Sequence, residues 1–327
     1  MRDIVERPAA VSEAQKAQKG WHWLVELLVF VAVFVIAQFG QMLVLIPGEL
    51  VMLFTNEEYT SAAAAGDMDK ITEVSSQIAA SDGYMILMLV SCIMMTVVVC
   101  LFCKIFQKRG IRSVGFRREH AVREYLVGAA GGFLFFSAAV LIAVLTGSLK
   151  LQGISSTLRA GILVLYLLGY FIQGMAEEVL CRGYLMVSIA RRYTMTAAIL
   201  ANSLFFAALH LFNSGISPLA IINLTLFGIF ASLYFVRRGN IWGVAAFHSV
   251  WNFVQGNFYG IRVSGIDTTA SVLETVSVEG KSLWNGGAFG MEGGIAATIV
   301  LVVGIFILYR MKNADAPQQW KDTKAEA

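Results

Sequence analysis

Charge is scarce in this chain. Only 14% of its 327 residues are Asp, Glu, Lys or Arg, where an ordinary soluble protein carries about 25%. Proline is scarcer, with four residues, and the net charge is only +3. A collagen-like or disordered chain is therefore excluded, and nothing in the charge balance suggests nucleic-acid binding. The four cysteines, Cys92, Cys100, Cys103 and Cys181, all lie in apolar runs and form no Cys/His zinc pattern. They are too few for a disulfide scaffold and read as small buried residues. What the sequence has in excess is apolar surface: 57% of residues are hydrophobic and 22 are Phe. These residues come in runs of roughly 20, the length an α-helix needs to cross a bilayer. The composition predicts an all-α, polytopic membrane helix bundle in contact with lipid.

Eight spans are predicted, at about 23–46, 84–106, 125–147, 161–190, 196–212, 218–236, 241–260 and 291–311. The fourth is longer than a bilayer requires, so its end is expected to project into the cytoplasm. Lys and Arg set orientation. With both termini inside, the inner segments hold 19 of the 25 Lys and Arg and the outer segments hold five. That split predicts an N-in, C-in topology. The first run is too long for a signal-peptide core and no small-x-small site ends it, so it reads as a retained span. The outer loop 56–83 is acidic and Ala/Ser-rich, and the outer loop 261–290 is rich in Gly, Ser and Thr. The inner loop 107–124 is basic, which suits topology and anionic-lipid contact. Gly128 and Gly132 in the third span stand at the spacing of close helix packing.

A charge at the bilayer centre costs at least ~2.5–3.5 kcal/mol, so in-span ionisable residues need a reason. Six stand out: Glu26, Glu177, Glu178, Arg182, His210 and His248. Glu26, near the start of the first span, is expected to reach the interface. Spans four and five form a hairpin with a turn near Arg191–Thr194, which places Glu177 and His210 each about 25 Å of helix from that turn, at one height. His248 and Asn252 are four apart and share a helix face. Glu178 and Arg182 are also four apart and read as a buried ion pair, because either alone would be very costly. Glu177 is then the carboxylate left free to act on water. Among its neighbours, Gln173 is placed to bond Glu177 or to join helices, Cys181 to pack, Phe206 to wall the site, and Asn202 and Asn223 to make interhelical hydrogen bonds.

One free Glu, two His and one Asn suit water activation and oxyanion stabilisation. The set Glu177, His210 and His248 is also a plausible zinc site. No HExxH, no GxSG and no in-span Asp pair is present, which removes the zincin, rhomboid and presenilin-like alternatives. The motifs Glu177-Glu178-x-x-x-Arg182, Phe206-x-x-x-His210 and His248-x-x-x-Asn252 resemble, in order and placement, the three motifs of the CPBP family. This is the CAAX protease and bacteriocin-processing family, also called Abi.

The resemblance covers about residues 125–260 and is similar in kind to the type II CAAX prenyl endopeptidase. It implies an intramembrane endopeptidase acting on a membrane-associated protein or peptide. By that likeness Glu177 activates the attacking water with help from His210. His248 and Asn252 stabilise the oxyanion, while Glu178 and Arg182 orient the site. Zinc on Glu177, His210 and His248 is left open as a cofactor. The implied organisation is a cytoplasmic N-terminal segment (1–22), then two family-variable helices with their loops (23–124) and a catalytic core (125–260). An outer loop (261–290), a last transmembrane helix (291–311) and a cytoplasmic tail (312–327) complete it. The expected location is a bacterial plasma membrane. Two other function classes compete: a non-catalytic scaffold or immunity protein, and a proton-coupled transporter, for which no repeat or broken span is seen.

Overall fold

In hydrocarbon a backbone must satisfy its own N–H and C=O groups, and a helix does so within one segment. The computed structural model, described for residues 5–312, accordingly turns all eight apolar runs into helix. A short helix α1 (Ala9–Ala17) precedes α2 (Trp23–Phe54). Helices α3 (Glu57–Ala65) and α4 (Met68–Ala79) follow, then α5 (Asp82–Ile105) and α6 (Ala121–Leu145). Next come α7 (Ala160–Ala190), α8 (Met195–Ala208), α9 (Pro218–Arg238), α10 (Ile241–Phe253) and α11 (Ile295–Arg310). Five of these, α2, α5, α6, α7 and α9, are long and apolar enough to cross a membrane. Helices α8 and α11 are shorter, and α10 extends through a π-helical turn, Val254–Phe258.

Sequence signals set the boundaries. Thr194 caps α8 by accepting from the Ala197 N–H, and Ser217 caps α9 ahead of Pro218. Gly239 ends α9 in the left-handed region, a conformation glycine adopts without a Cβ penalty. Asn240 then caps α10. The 56–83 segment, read from sequence as a loop, contains α3 and α4. A two-stranded antiparallel sheet also forms where no strand was expected, β1 (Leu149–Ile154) pairing with β2 (Leu273–Ser277).

The helix ends gather into two groups. At one end, Arg7 donates to the Tyr193 carbonyl, the Ile241 N–H to Gly115, and Trp242 to Arg117. At the other, Arg159 pairs with Asp82, Asn213 donates to Ser264, and Lys281 donates to Thr146. The basic segments therefore share one end and the long loops 148–160 and 261–290 share the other. The tail beyond residue 312 lies outside the described residues.

Three expectations change. The end of α7 does not project: Val179–Ala190 is buried throughout, covered by α1 and by residues 109–115. Arg109, itself buried, donates to the Tyr184 carbonyl and to Ser188. Glu26 does not reach water. It is fully buried, pairs with Arg191 at 2.9 Å and accepts the Trp21 N–H at 3.0 Å. The last helix begins at Ile295, not 291, since Met291–Gly293 forms a separate 3-10 turn. The glycines of α6 do pack closely. A Cβ on Gly128 would strike the Gly243 carbonyl and one on Gly132 the Phe247 carbonyl, both on α10.

Candidate active site

Helix α7 carries the charged centre. Glu178 and Arg182 are both fully buried, and Arg182 Nη1 donates to Glu178 Oε1 at 3.0 Å. Arg182 Nη2 reaches the Gly228 carbonyl at 3.4 Å, and its guanidinium lies 4.6 Å over the Phe206 ring. The ion pair thus joins α7 to both α8 and α9. Immediately after Glu178 the helix widens to π geometry over Val179–Met186, a winding frequent at functional sites.

His248 of α10 meets this pair. Its Nδ1 is 2.8 Å from Glu178 Oε1, and its Nε2 is 3.7 Å from Glu177 Oε2. With Glu178 already ion-paired, its carboxylate accepts from Nδ1–H, which leaves Nε2 facing Glu177. Glu177 keeps 22% of its side chain exposed while Glu178 keeps none, so Glu177 is the carboxylate open to the cavity. Gln173 joins the remaining pieces: its Nε2 donates in a short bond to Glu177 Oε1, and its Oε1 accepts from Asn252 Nδ2 at 3.1 Å. It does both things foreseen for it, bonding Glu177 and bridging two helices.

His210 was expected inside the fifth span. Helix α8 instead stops at Ala208 and His210 sits in the turn beyond it. Its Nδ1 lies 2.9 Å from the Phe206 carbonyl, one of the carbonyls a helix end leaves without an intrahelical partner. That bond requires Nδ1–H and leaves Nε2 as an acceptor. Phe206 packs against both imidazoles, its ring centroid 4.9 Å from that of His210 and 5.9 Å from that of His248.

Glu177, His210, His248 and Asn252 all border one cavity of about 240 Å³. Sequence reasoning did not anticipate several of its other walls. Gln41 of α2 and Cys92 of α5 line it, as do Asn213, Ser264 and Glu292 from the loop end. The only advance signal for Glu292 is a carboxylate bordering an apolar run. Cys181, Asn202 and Asn223 stay outside the cavity: Cys181 is fully buried, Asn202 donates to Ser232, and Asn223 donates to the Glu292 and Gly294 carbonyls.

Among the described residues no three His, Cys, Asp or Glu side chains are gathered closely enough to hold an ion. Glu177 Oε2 and His248 Nε2 lie 3.7 Å apart, and Phe206 packs against both His248 and His210.

Comparison with known proteins gives one match. Residues 159–254 match the family described as Type II CAAX prenyl endopeptidase Rce1-like. The matched stretch includes all three motifs and runs from the start of α7 to the end of α10. No curated protein and no solved structure matches the chain.

Proposed function

We propose that this chain, which belongs to the CAAX protease family through residues 159–254, is an intramembrane endopeptidase using a Glu177-activated water. The observation that carries this reading is the placement of Glu177 Oε2. It accepts no hydrogen bond from the protein and faces His248 Nε2 across 3.7 Å, while the Glu177 side chain, 22% exposed, borders the cavity.

In the proposed reaction Glu177 takes a proton from the water, whose oxygen attacks the peptide carbonyl carbon. His210, with Nε2 as an acceptor, helps to orient that water. The resulting oxyanion receives the second N–H of Asn252 Nδ2, the first being given to Gln173. It also receives Nε2–H from His248 acting as the imidazolium, whose Nδ1–H remains on Glu178. When the C–N bond breaks, Glu177 returns its proton to the leaving nitrogen. Glu178 and Arg182 are positioning residues, and Gln173 aims Glu177 and Asn252 together. No step is routed through zinc.

The substrate class is a membrane-associated protein or peptide, reached within the bilayer. In this reading all eight helical segments act as spans, and both termini lie on the basic, cytoplasmic side of a bacterial plasma membrane. Residues 125–260 form the catalytic core. The test is incubation of purified protein in liposomes with membrane-anchored peptides, with products identified by mass. New termini that appear with wild type and disappear with His248→Ala and Asn252→Ala support the proposal. Persistence of the same products in both variants removes it.

A further inference from the structure

The cavity contains a second carboxylate, outside the family-matched residues. Glu292 borders it from the loop end and is only 9% exposed. Trp251 Nε1 donates to its Oε1 at 3.3 Å. Ser264 donates to its Oε2 twice, from the backbone N–H at 3.0 Å and from the hydroxyl at 2.6 Å. A carboxylate offers about four acceptor positions, so one on Oε1 remains. Ser264 has positive φ (48°), which is uncommon for a residue with a Cβ. The loop is thus bent so that both of its donors reach Glu292.

None of these donors is a cation. Among the described residues Glu292 has no ion pair, and no Lys or Arg borders the cavity. The Arg side chains at this end are committed elsewhere, Arg262 to Asp267 at 2.7 Å and Arg159 to Asp82 at 2.6 Å. A buried carboxylate without a counter-charge is costly in an apolar bundle, and neutral donors offset only part of that cost. The chamber therefore presents Glu177 and Glu292 to whatever occupies it, with no Lys or Arg in its walls.

The geometry points to a basic side chain of the bound peptide as the counter-charge of Glu292. This assignment of substrate class rests on the endopeptidase reading. Trp251 is three residues beyond His248 on α10, about 4.5 Å of rise. An extended peptide advances roughly 3.3 Å per residue. The Lys or Arg would then lie within about three residues of the scissile bond.

The test uses full-length protein in liposomes with one membrane-anchored peptide series. Lys, norleucine or Glu is placed at each position near the cleavage site, and both cleavage and binding (fluorescence anisotropy) are read. At one position wild type should prefer Lys over norleucine by about tenfold or more, corresponding to about 1.4 kcal/mol, mainly through KM. Glu292→Gln, whose amide oxygen can keep both Ser264 bonds while giving up the Trp251 bond, should bring that ratio to within about twofold. Ser264→Ala loosens the same loop without removing charge and should keep the preference. No Lys preference in wild type, or an unchanged preference in Glu292→Gln, would overturn the assignment. If Glu292→Gln does not fold, the wild-type Lys-to-norleucine ratio alone decides. Absence of all cleavage would count against the endopeptidase reading, while the binding ratio would still judge Glu292.

Discussion

Replacing Arg182 with Met should destabilise the protein far more than an ordinary surface change. Arg182 and Glu178 are fully buried and 3.0 Å apart, and the guanidinium also reaches Gly228 and the Phe206 ring. Removing one member of a buried pair typically costs 3–5 kcal/mol, because the other charge is left without compensation. Glu178 would keep one partner, the Nδ1 of His248 at 2.8 Å, so we expect a loss near the lower limit, about 3 kcal/mol. The double variant Glu178→Gln/Arg182→Met removes both charges at similar volume. It should be less destabilised than the sum of the two single variants by about 1–3 kcal/mol. Denaturant unfolding of the purified protein in micelles, followed by circular dichroism, measures all four proteins. A loss under about 1 kcal/mol for Arg182→Met, or strict additivity in the cycle, would refute the claim that this pair holds α7, α8 and α9 together.

Other consequences are independent of that cycle. Gln173→Leu removes one bond to a carboxylate and one to Asn252; hydrogen bonds to charged groups are worth ~1.5–3 kcal/mol. Steady-state kinetics should therefore show kcat falling about 10- to 100-fold with KM nearly unchanged. Gly132→Val drives a side chain onto the α10 backbone at Phe247 and Trp251 and should abolish folded yield in size-exclusion chromatography. Gly161→Ala in α7 meets nothing within 4 Å and should be neutral or stabilising, by up to about 1 kcal/mol. A strong chelator should leave peptide cleavage unchanged; loss of activity that zinc restores would replace the water mechanism with a metal-assisted one.

The candidate site was legible because an apolar background isolates its members. Glu177, Glu178, Arg182, His210 and His248 are ionisable residues in apolar runs, and helical spacing paired Glu178 with Arg182 and His248 with Asn252. What spacing does not encode is contact across the chain. Glu26 finds Arg191 165 residues away, and β1 finds β2 across four helices, α7 to α10. A hydropathy run also says little about where a helix stops. His210 lies past the end of α8, where its Nδ1–H donates to the Phe206 carbonyl, and the buried end of α7 is covered by elements earlier in the chain. Glu292 was invisible for a related reason: only the folded loop brings Ser264 and Trp251 to it.

The central claim is that Glu177 performs the chemistry on water. It is tested most directly by cleavage of one membrane-anchored peptide by purified wild type and by Glu177→Ala, at matched folded concentration. A positioned general base contributes typically 10²–10⁴-fold, so the variant should lose at least about a hundredfold in kcat while keeping peptide affinity and thermal stability. Equal product from the two proteins would contradict the account.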